Sequence, residues 1–133
     1  MSNKVVIHRE DKTVIKGFTY DFAHGKDILH VTTSDDKGQN STVEVSLDNI
    51  KALFFVKDLA GNKEYEEKKS TEFSAPGAKK IRIKFGDGEV MVGSTITYNS
   101  KRKGFFITPS DANSNNIRAY IPLKALSNVE IIL

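Results

Sequence analysis

The residues of this chain best suited to chemistry are its histidines, two acidic turns, an asparagine-rich loop and a basic run. Histidine titrates near neutral pH and is the usual general acid or base there. His8 and His30 fall at outward positions of predicted strands and His24 in a predicted loop. The chain has no cysteine, and no nucleophile is grouped beside the histidines, so they read as surface residues. Disulfides, thiol catalysis and thiolate zinc sites are excluded outright.

The acidic turns are Asp11 in REDKTV and Asp87 in FGDGEV, where a metal ligand is conceivable. Turns call for aspartate and glycine for backbone reasons, with Gly86 and Gly88 supplying positive φ and Asp87 bonding its own turn. In SDANSNN, Asp111, Asn113 and Asn115 are spaced like the opening ligands of a calcium loop. Such a loop then needs glycine and, at its twelfth position, a bidentate glutamate; Asn116 and Pro122 stand in those places. The segment therefore reads as an Asx-rich turn, and neither a metal nor a cofactor is expected. Asn115, Asn116 and Arg118 are still able to present hydrogen-bond donors to a ligand.

Lys101, Arg102 and Lys103 make the densest basic run, with Tyr98 before it and Phe105 and Phe106 after it. Cations beside aromatics are what single-stranded nucleic acid uses, phosphates meeting the charges and bases stacking on the rings. Charge is also uneven along the chain. Residues 1–56 carry 7 Lys/Arg against 8 Asp/Glu, a net of −1, and residues 57–78 carry 4 against 5, again −1. Residues 79–133 carry 9 against 4, a net of +5, which completes the overall +3.

These residues have to be positioned by a fold, and the sequence repeats itself. Shifting the chain by 76 positions aligns residues 4–57 with 80–133 without a gap, and 11 of the 54 pairs are identical. Among them are Ile7/Ile83, Asp11/Asp87, Val14/Val90, Gly17/Gly93, Thr19/Thr95 and Leu47/Leu123. Others exchange like for like, such as Leu29/Phe105, Val31/Ile107, Leu53/Val129 and Phe55/Ile131. An apolar pattern kept in phase over that length reads as an internal duplication.

Each copy alternates as strands do. KVVIHR and KIRIKF lead into the acidic turn, a second strand starts at Val14 or Val90, and Gly17 or Gly93 reads as a kink. DILHVTT/GFFITPS and STVEVSL/IRAYIPL follow, then a short LDNI or LKAL turn, then KALFFV or SNVEII. Leu29, Val31, Leu53 and Phe55, with Phe105, Ile107, Val129 and Ile131, are the expected core. The predicted fold class is all-β, two five-stranded Sm-like (SH3-type) small barrels in which closure removes exposed sheet edges. The expected organisation is a first barrel over 1–56, a connector over 57–78 and a second barrel over 79–133.

The pattern apolar-x-apolar, acidic turn, apolar, glycine, second strand resembles the first half of the Sm-like family, which includes the bacterial host-factor RNA chaperone. That resemblance implies that the fourth and fifth strands of adjacent units pair, here within one chain. KALFFVKDLAGNKEY (51–65), IKFGDGEVMVGSTITY (83–98) and GFFITPSDANSNNIRAYI (104–121) also resemble an uncharacterised bacterial domain. This second likeness implies an appendage to signalling proteins and no particular chemistry.

The expected function is therefore a non-catalytic binding or interaction module with an accessory or regulatory role in bacteria. Phe54 and Val56 are apolar at outward positions of the fifth strand, which implies a protein partner or, most simply, the chain's own second barrel. The alternative is single-stranded nucleic-acid (RNA) binding by the basic and aromatic surface of the second repeat. The N-terminus lacks the apolar run of a signal peptide, and no stretch approaches the ~20 apolar residues of a membrane span. A cytoplasmic location without membrane contact is expected.

Overall fold

A computed structural model describes residues 3–23, 26–35, 37–61, 77–111 and 113–132. The described residues form ten strands, two single-turn 3-10 helices and no α-helix. The first five strands are β1 (Asn3–Arg9), β2 (Val14–Thr19), β3 (Ile28–Ser34), β4 (Asn40–Ser46) and β5 (Ile50–Val56). The second five are β6 (Lys79–Phe85), β7 (Val90–Thr95), β8 (Gly104–Pro109), β9 (Asn116–Pro122) and β10 (Leu126–Ile132). The 3-10 turns, Leu47–Asn49 and Leu123–Ala125, sit before the fifth strand of each half. Most of the predicted connector, and His24, lie outside the described residues.

All ten strands belong to one antiparallel sheet, in the order β10-β6-β7-β8-β9-β5-β1-β2-β3-β4. Each half thus has its fifth strand beside its first, followed by its second, third and fourth. The expectation of two separately closed barrels needs correcting on this point. The partners of β5 are β1 and β9, not β4, and the sheet is open, with β4 and β10 at its edges. Backbone groups that would have closed the first half on itself are used instead to join the halves.

Registers repeat with the sequence. Val5 lies opposite Gly17 and Ile81 opposite Gly93; Ile7 faces Leu53 and Ile83 faces Val129; Leu29 faces Val45 and Phe105 faces Ile121. Local hydrogen bonds also recur 76 residues on. Thr19 Oγ1 donates to the His30 carbonyl at 2.9 Å, and Thr95 Oγ1 to the Phe106 carbonyl at 2.7 Å. Leu47 N–H reaches the Asp27 carbonyl and Leu123 N–H the Lys103 carbonyl, both at 2.8 Å.

The two kink glycines have nearly the same surroundings. A Cβ on Gly17 would strike the Thr32 carbonyl oxygen and approach Val31 Cγ1 to 2.8 Å; one on Gly93 would strike the Thr108 carbonyl oxygen and approach Ile107 Cγ1 to 2.9 Å. Glycine is needed because a bent second strand brings the third strand's backbone against it. At the acidic turns only Gly88, of the two glycines expected to have positive φ, does so (95°), and its counterpart Lys12 adopts 72°.

Two apolar clusters fill the two halves, and each borrows from the other. Val5, Ile7, Leu29, Val31, Leu53 and Phe55 form the first, joined by Tyr120 and Phe106 of the second half. Ile81, Ile83, Phe85, Phe105, Ile107 and Ile121 form the second, joined by Ala52 and Phe54 of the first half. Leu53 is 0% and Phe55 4% exposed. Their expected counterparts in the core, Val129 and Ile131, are not buried: Val129 is half-buried and Ile131 is 37% exposed. The cause is topological, since among the described strands β5 is flanked on both sides and β10 only by β6.

Candidate functional site

The seam between the halves is the antiparallel pairing of β5 with β9, which sets Leu53 opposite Tyr120, Phe54 opposite Ala119, Phe55 opposite Arg118 and Val56 opposite Asn116. Phe54, outward with respect to its own half, packs on the second cluster and meets the His8 ring edge-on, centroids 5.2 Å apart. Val56 is 4% exposed. On the opposite face, Phe22, Phe55, Phe106 and Tyr120 form a network of inclined rings with centroids 5.5–6.2 Å apart. Such edge contacts add to the stabilisation from burial alone. The Arg118 guanidinium lies over both the Phe55 and the Phe106 rings, 4.5 Å from each centroid, closing that aromatic surface with a cation.

The basic loop meets the first half beside this seam. A cleft of about 770 Å³ is lined by Lys101, Arg102 and Lys103 from the β7–β8 loop, Lys124 from the second 3-10 turn and Lys26 from the first half, with Asp27 and Asp48 as its acids. Lys103 Nζ lies 2.9 Å from Asp27 Oδ1, and Lys124 Nζ 3.8 Å from Asp48 Oδ1. The bond it donates to Asp27 holds the Lys103 pKa above its ordinary value. Tyr120 forms part of the wall: burial pushes its phenol pKa up, against the opposing pull of Lys103. Gly104 makes room for that ring, since a Cβ there would lie 2.6 Å from Tyr120 Cζ.

Of the other residues singled out from the sequence, Tyr98 is turned away from any stacking role, its ring edge-on to Phe105 at 5.0 Å in the second cluster. Asn115 ties the exit of β5 to the second half: its side chain accepts from Asp58 N–H at 3.0 Å and donates to the Asp58 carbonyl at 2.9 Å. Asn116 N–H donates to Ser114 Oγ at 3.0 Å within the same turn. Asp111 Oδ1 accepts from Asn113 N–H at 2.9 Å, the Asx turn expected there. The structure thus brings Lys101, Arg102 and Lys103 to one cleft, while Asn115, Asn116 and Arg118 serve the seam and its loops.

Sequence reasoning missed Lys51. Its ammonium, with only 19% of the side chain exposed, bonds Asp87 Oδ2 at 2.7 Å and Glu89 Oε2 at 3.2 Å and lies 4.7 Å from the Phe85 ring centroid. The acidic turn of the second half is therefore clamped by a strand of the first. Burial alone would lower the Lys51 pKa, but the bonds to Asp87 and Glu89 outweigh it and raise it; the same bond holds Asp87 below the usual carboxylate range. Nothing in the local sequence signals a contact 36 residues away.

His8, expected at the surface, is half-buried, and burial followed by the charge of Lys51 depresses its pKa. Its outward face is covered because Phe54 of β5 lies beside it. His30 is exposed and its Nδ1 lies 2.7 Å from Asp21 Oδ2, a bond that lowers the Asp21 pKa. Among the described residues there is no cluster of three or more side chains able to hold a metal ion, and no helix long and apolar enough to cross a membrane.

A family model described as "Family of unknown function (DUF6982)" matches residues 1–133. None of the curated proteins and none of the solved structures matches the chain.

Proposed function

The chain belongs to this family of unknown function, and we propose that it is a non-catalytic interaction module, built as a duplicated Sm-like small-barrel unit and serving as an accessory or regulatory domain in the bacterial cytoplasm. Duplication is supported by the recurrence, 76 residues on, of registers, kink glycines and loop hydrogen bonds. The observation that carries the interaction reading is the difference between the two fifth strands. Phe54 and Val56 are occupied inside the chain, while β10, at the sheet edge, leaves Ile131 37% exposed. Among the described residues no strand pairs with the outer side of β10, and an edge strand with apolar side chains is a surface for strand addition.

A photo-crosslinking amino acid placed at Ile131, compared with one at Val14, tests this in the cells that make the protein. Val14 is 46% exposed but lies on β2, an inner strand of the sheet order, where it pairs with His8 of β1. Discrete adducts at position 131 and none at 14 are expected. Equal labelling at the two positions, or none at 131, overturns the reading.

A second reading, single-stranded nucleic-acid binding, is favoured by the convergence of Lys26, Lys101, Arg102, Lys103 and Lys124 on one cleft. Because Tyr98 packs in the second cluster and Tyr120, though it lines the cleft, is only 8% exposed, contact would rest on phosphates and be indifferent to sequence. Fluorescence anisotropy with a single-stranded RNA probe should then show salt-dependent binding. Replacing Lys101, Arg102 and Lys103 by glutamine should reduce the slope of log affinity against log salt by about 2. No binding at low salt removes this reading and leaves the first.

A further inference from the structure

We infer that a second cleft, between the β1–β2 turn of the first half and the β6–β7 turn of the second, binds a small oxyanion, a phosphate or a carboxylate, through Arg9, Lys12 and Lys51. It is separate from the basic cleft beside the seam, with which it shares Lys124 alone. Its volume is about 480 Å³, within the range of small-molecule sites. His8, Arg9, Glu10 and Lys12 line it from the first half, Phe85 and Asp87 from the second.

Both turns are held in place by their own halves. Glu10 N–H donates to the Asn49 carbonyl at 3.1 Å, and its counterpart Gly86 N–H to the Ala125 carbonyl at 3.0 Å. Lys12 takes φ 72°, a left-handed conformation that its counterpart Gly88 adopts at 95° with no side chain to strain. Glycine would suit the turn at least as well, so Lys12 gives the turn a charge rather than stability.

The cations are unevenly committed. Lys51 bonds Asp87 and Glu89, and Lys124 pairs with Asp48. None of the ion pairs among the described residues includes Arg9 or Lys12, although both line the cleft. Asp87 is held below the usual carboxylate range first by Lys51 and, more weakly, by Lys12, so both ammonium groups act on one carboxylate. An oxyanion in the cleft gains charge-assisted hydrogen bonds from Arg9 and Lys12 and the attraction of Lys51. His8 completes the wall. Burial, then Lys51, depresses its pKa, with Lys16 adding to the depression and Glu89 opposing it, so at neutral pH the ring is uncharged and able to donate a hydrogen bond. Glu10 and Asp87 in the same wall disfavour a long polyanion and leave room for a single charged group.

Amide NMR titration of the intact chain with sodium phosphate and, separately, with sodium succinate tests the inference, with sodium chloride at matched ionic strength as the control. Saturable shifts over residues 9–13 and 85–89, with a Kd of about 1 mM or tighter, are expected from at least one oxyanion. The one that saturates assigns the site to phosphate or to carboxylate. The bound anion should also raise the pKa of His8, followed on its ring protons. Lys12→Gly should weaken binding about tenfold while leaving the thermal midpoint unchanged or higher, and Arg9→Gln should weaken it similarly. Replacing Lys101, Arg102 and Lys103 by glutamine should leave it unchanged, which separates this site from the nucleic-acid reading. Saturation by neither oxyanion, shifts that chloride reproduces, an unmoved His8 titration, or undiminished binding by the Lys12→Gly chain overturns the inference.

Discussion

β5 and β10 are counterparts by sequence and by position in their halves, yet only β5 is buried. IKALFFV lies between β1 and β9 and is buried at five of its seven positions; LSNVEII, which among the described strands lies against β6 alone, is buried at none. Leu53 and Phe55 belong to the first cluster, whereas Val129 is merely packed against the second and Ile131 is more than one-third exposed. Intrinsic preference for the strand state does not separate them. What separates them is the neighbour, and the composition has followed: outward Phe54 at the seam becomes Glu130 at the edge, where it reaches Arg82 at 3.2 Å.

The largest test of this contrast is a matched pair of truncations. Phe55→Ala removes a buried ring that meets Phe22 and Phe106 and should cost about 3–5 kcal/mol in denaturant unfolding. Ile131→Ala, measured at concentrations where the chain is monomeric, should cost about 1 kcal/mol or less, since much of the side chain is already in water. Similar losses at the two positions would erase the distinction between seam and edge.

A smaller effect tests where the halves should agree. Gly17→Ala and Gly93→Ala each force a methyl group against the third-strand carbonyl, and each should destabilise by about 1–3 kcal/mol. A large loss at one and none at the other would mean that the two bends are not equivalent.

The smallest effect concerns the Lys51 clamp, which has no counterpart at the edge because Ser127 stands at the equivalent position. Asp87 has a lowered pKa, so its contribution is present above the ordinary carboxylate value and is lost as pH falls through the folded-state value. Lys51 has a raised pKa, and its share is present below the ordinary lysine value and lost as pH rises through the folded one. Lys51→Met should cost about 1 kcal/mol at neutral pH, a figure discounted for the exposure of the carboxylates. It should also flatten the fall in stability below pH ~4. An unchanged acid limb would show that the clamp contributes nothing.

Much of the fold was legible because strand alternation and the 76-residue offset are both properties of the sequence itself. Gly17 and Gly93 marked the bends, and apolar Phe54 at an outward position pointed to a covering surface. The openness of the sheet was not legible. Whether β5 closes on β4 or pairs with β9 depends on which strand reaches it, and both candidates alternate suitably. Burial of Ile131 was misjudged for the same reason, as an edge strand and a central one can share a pattern. Lys51, His8 and Tyr120 have roles set by residues from the other half, and local sequence carries no trace of such contacts. In the candidate cleft the basic run could be read directly, whereas its meeting with Lys26 and Asp27 could not.

Cross-strand nuclear Overhauser effects in the monomeric chain decide whether β5 and β9 join two equivalent halves in one open sheet. Backbone contacts are expected between Phe54 and Ala119 at the seam, together with the counterpart pairs Val6–Phe54 and Arg82–Glu130 inside the halves. Backbone contacts from β5 to β4, with none from β5 to β9, would instead mean that each half closes on itself.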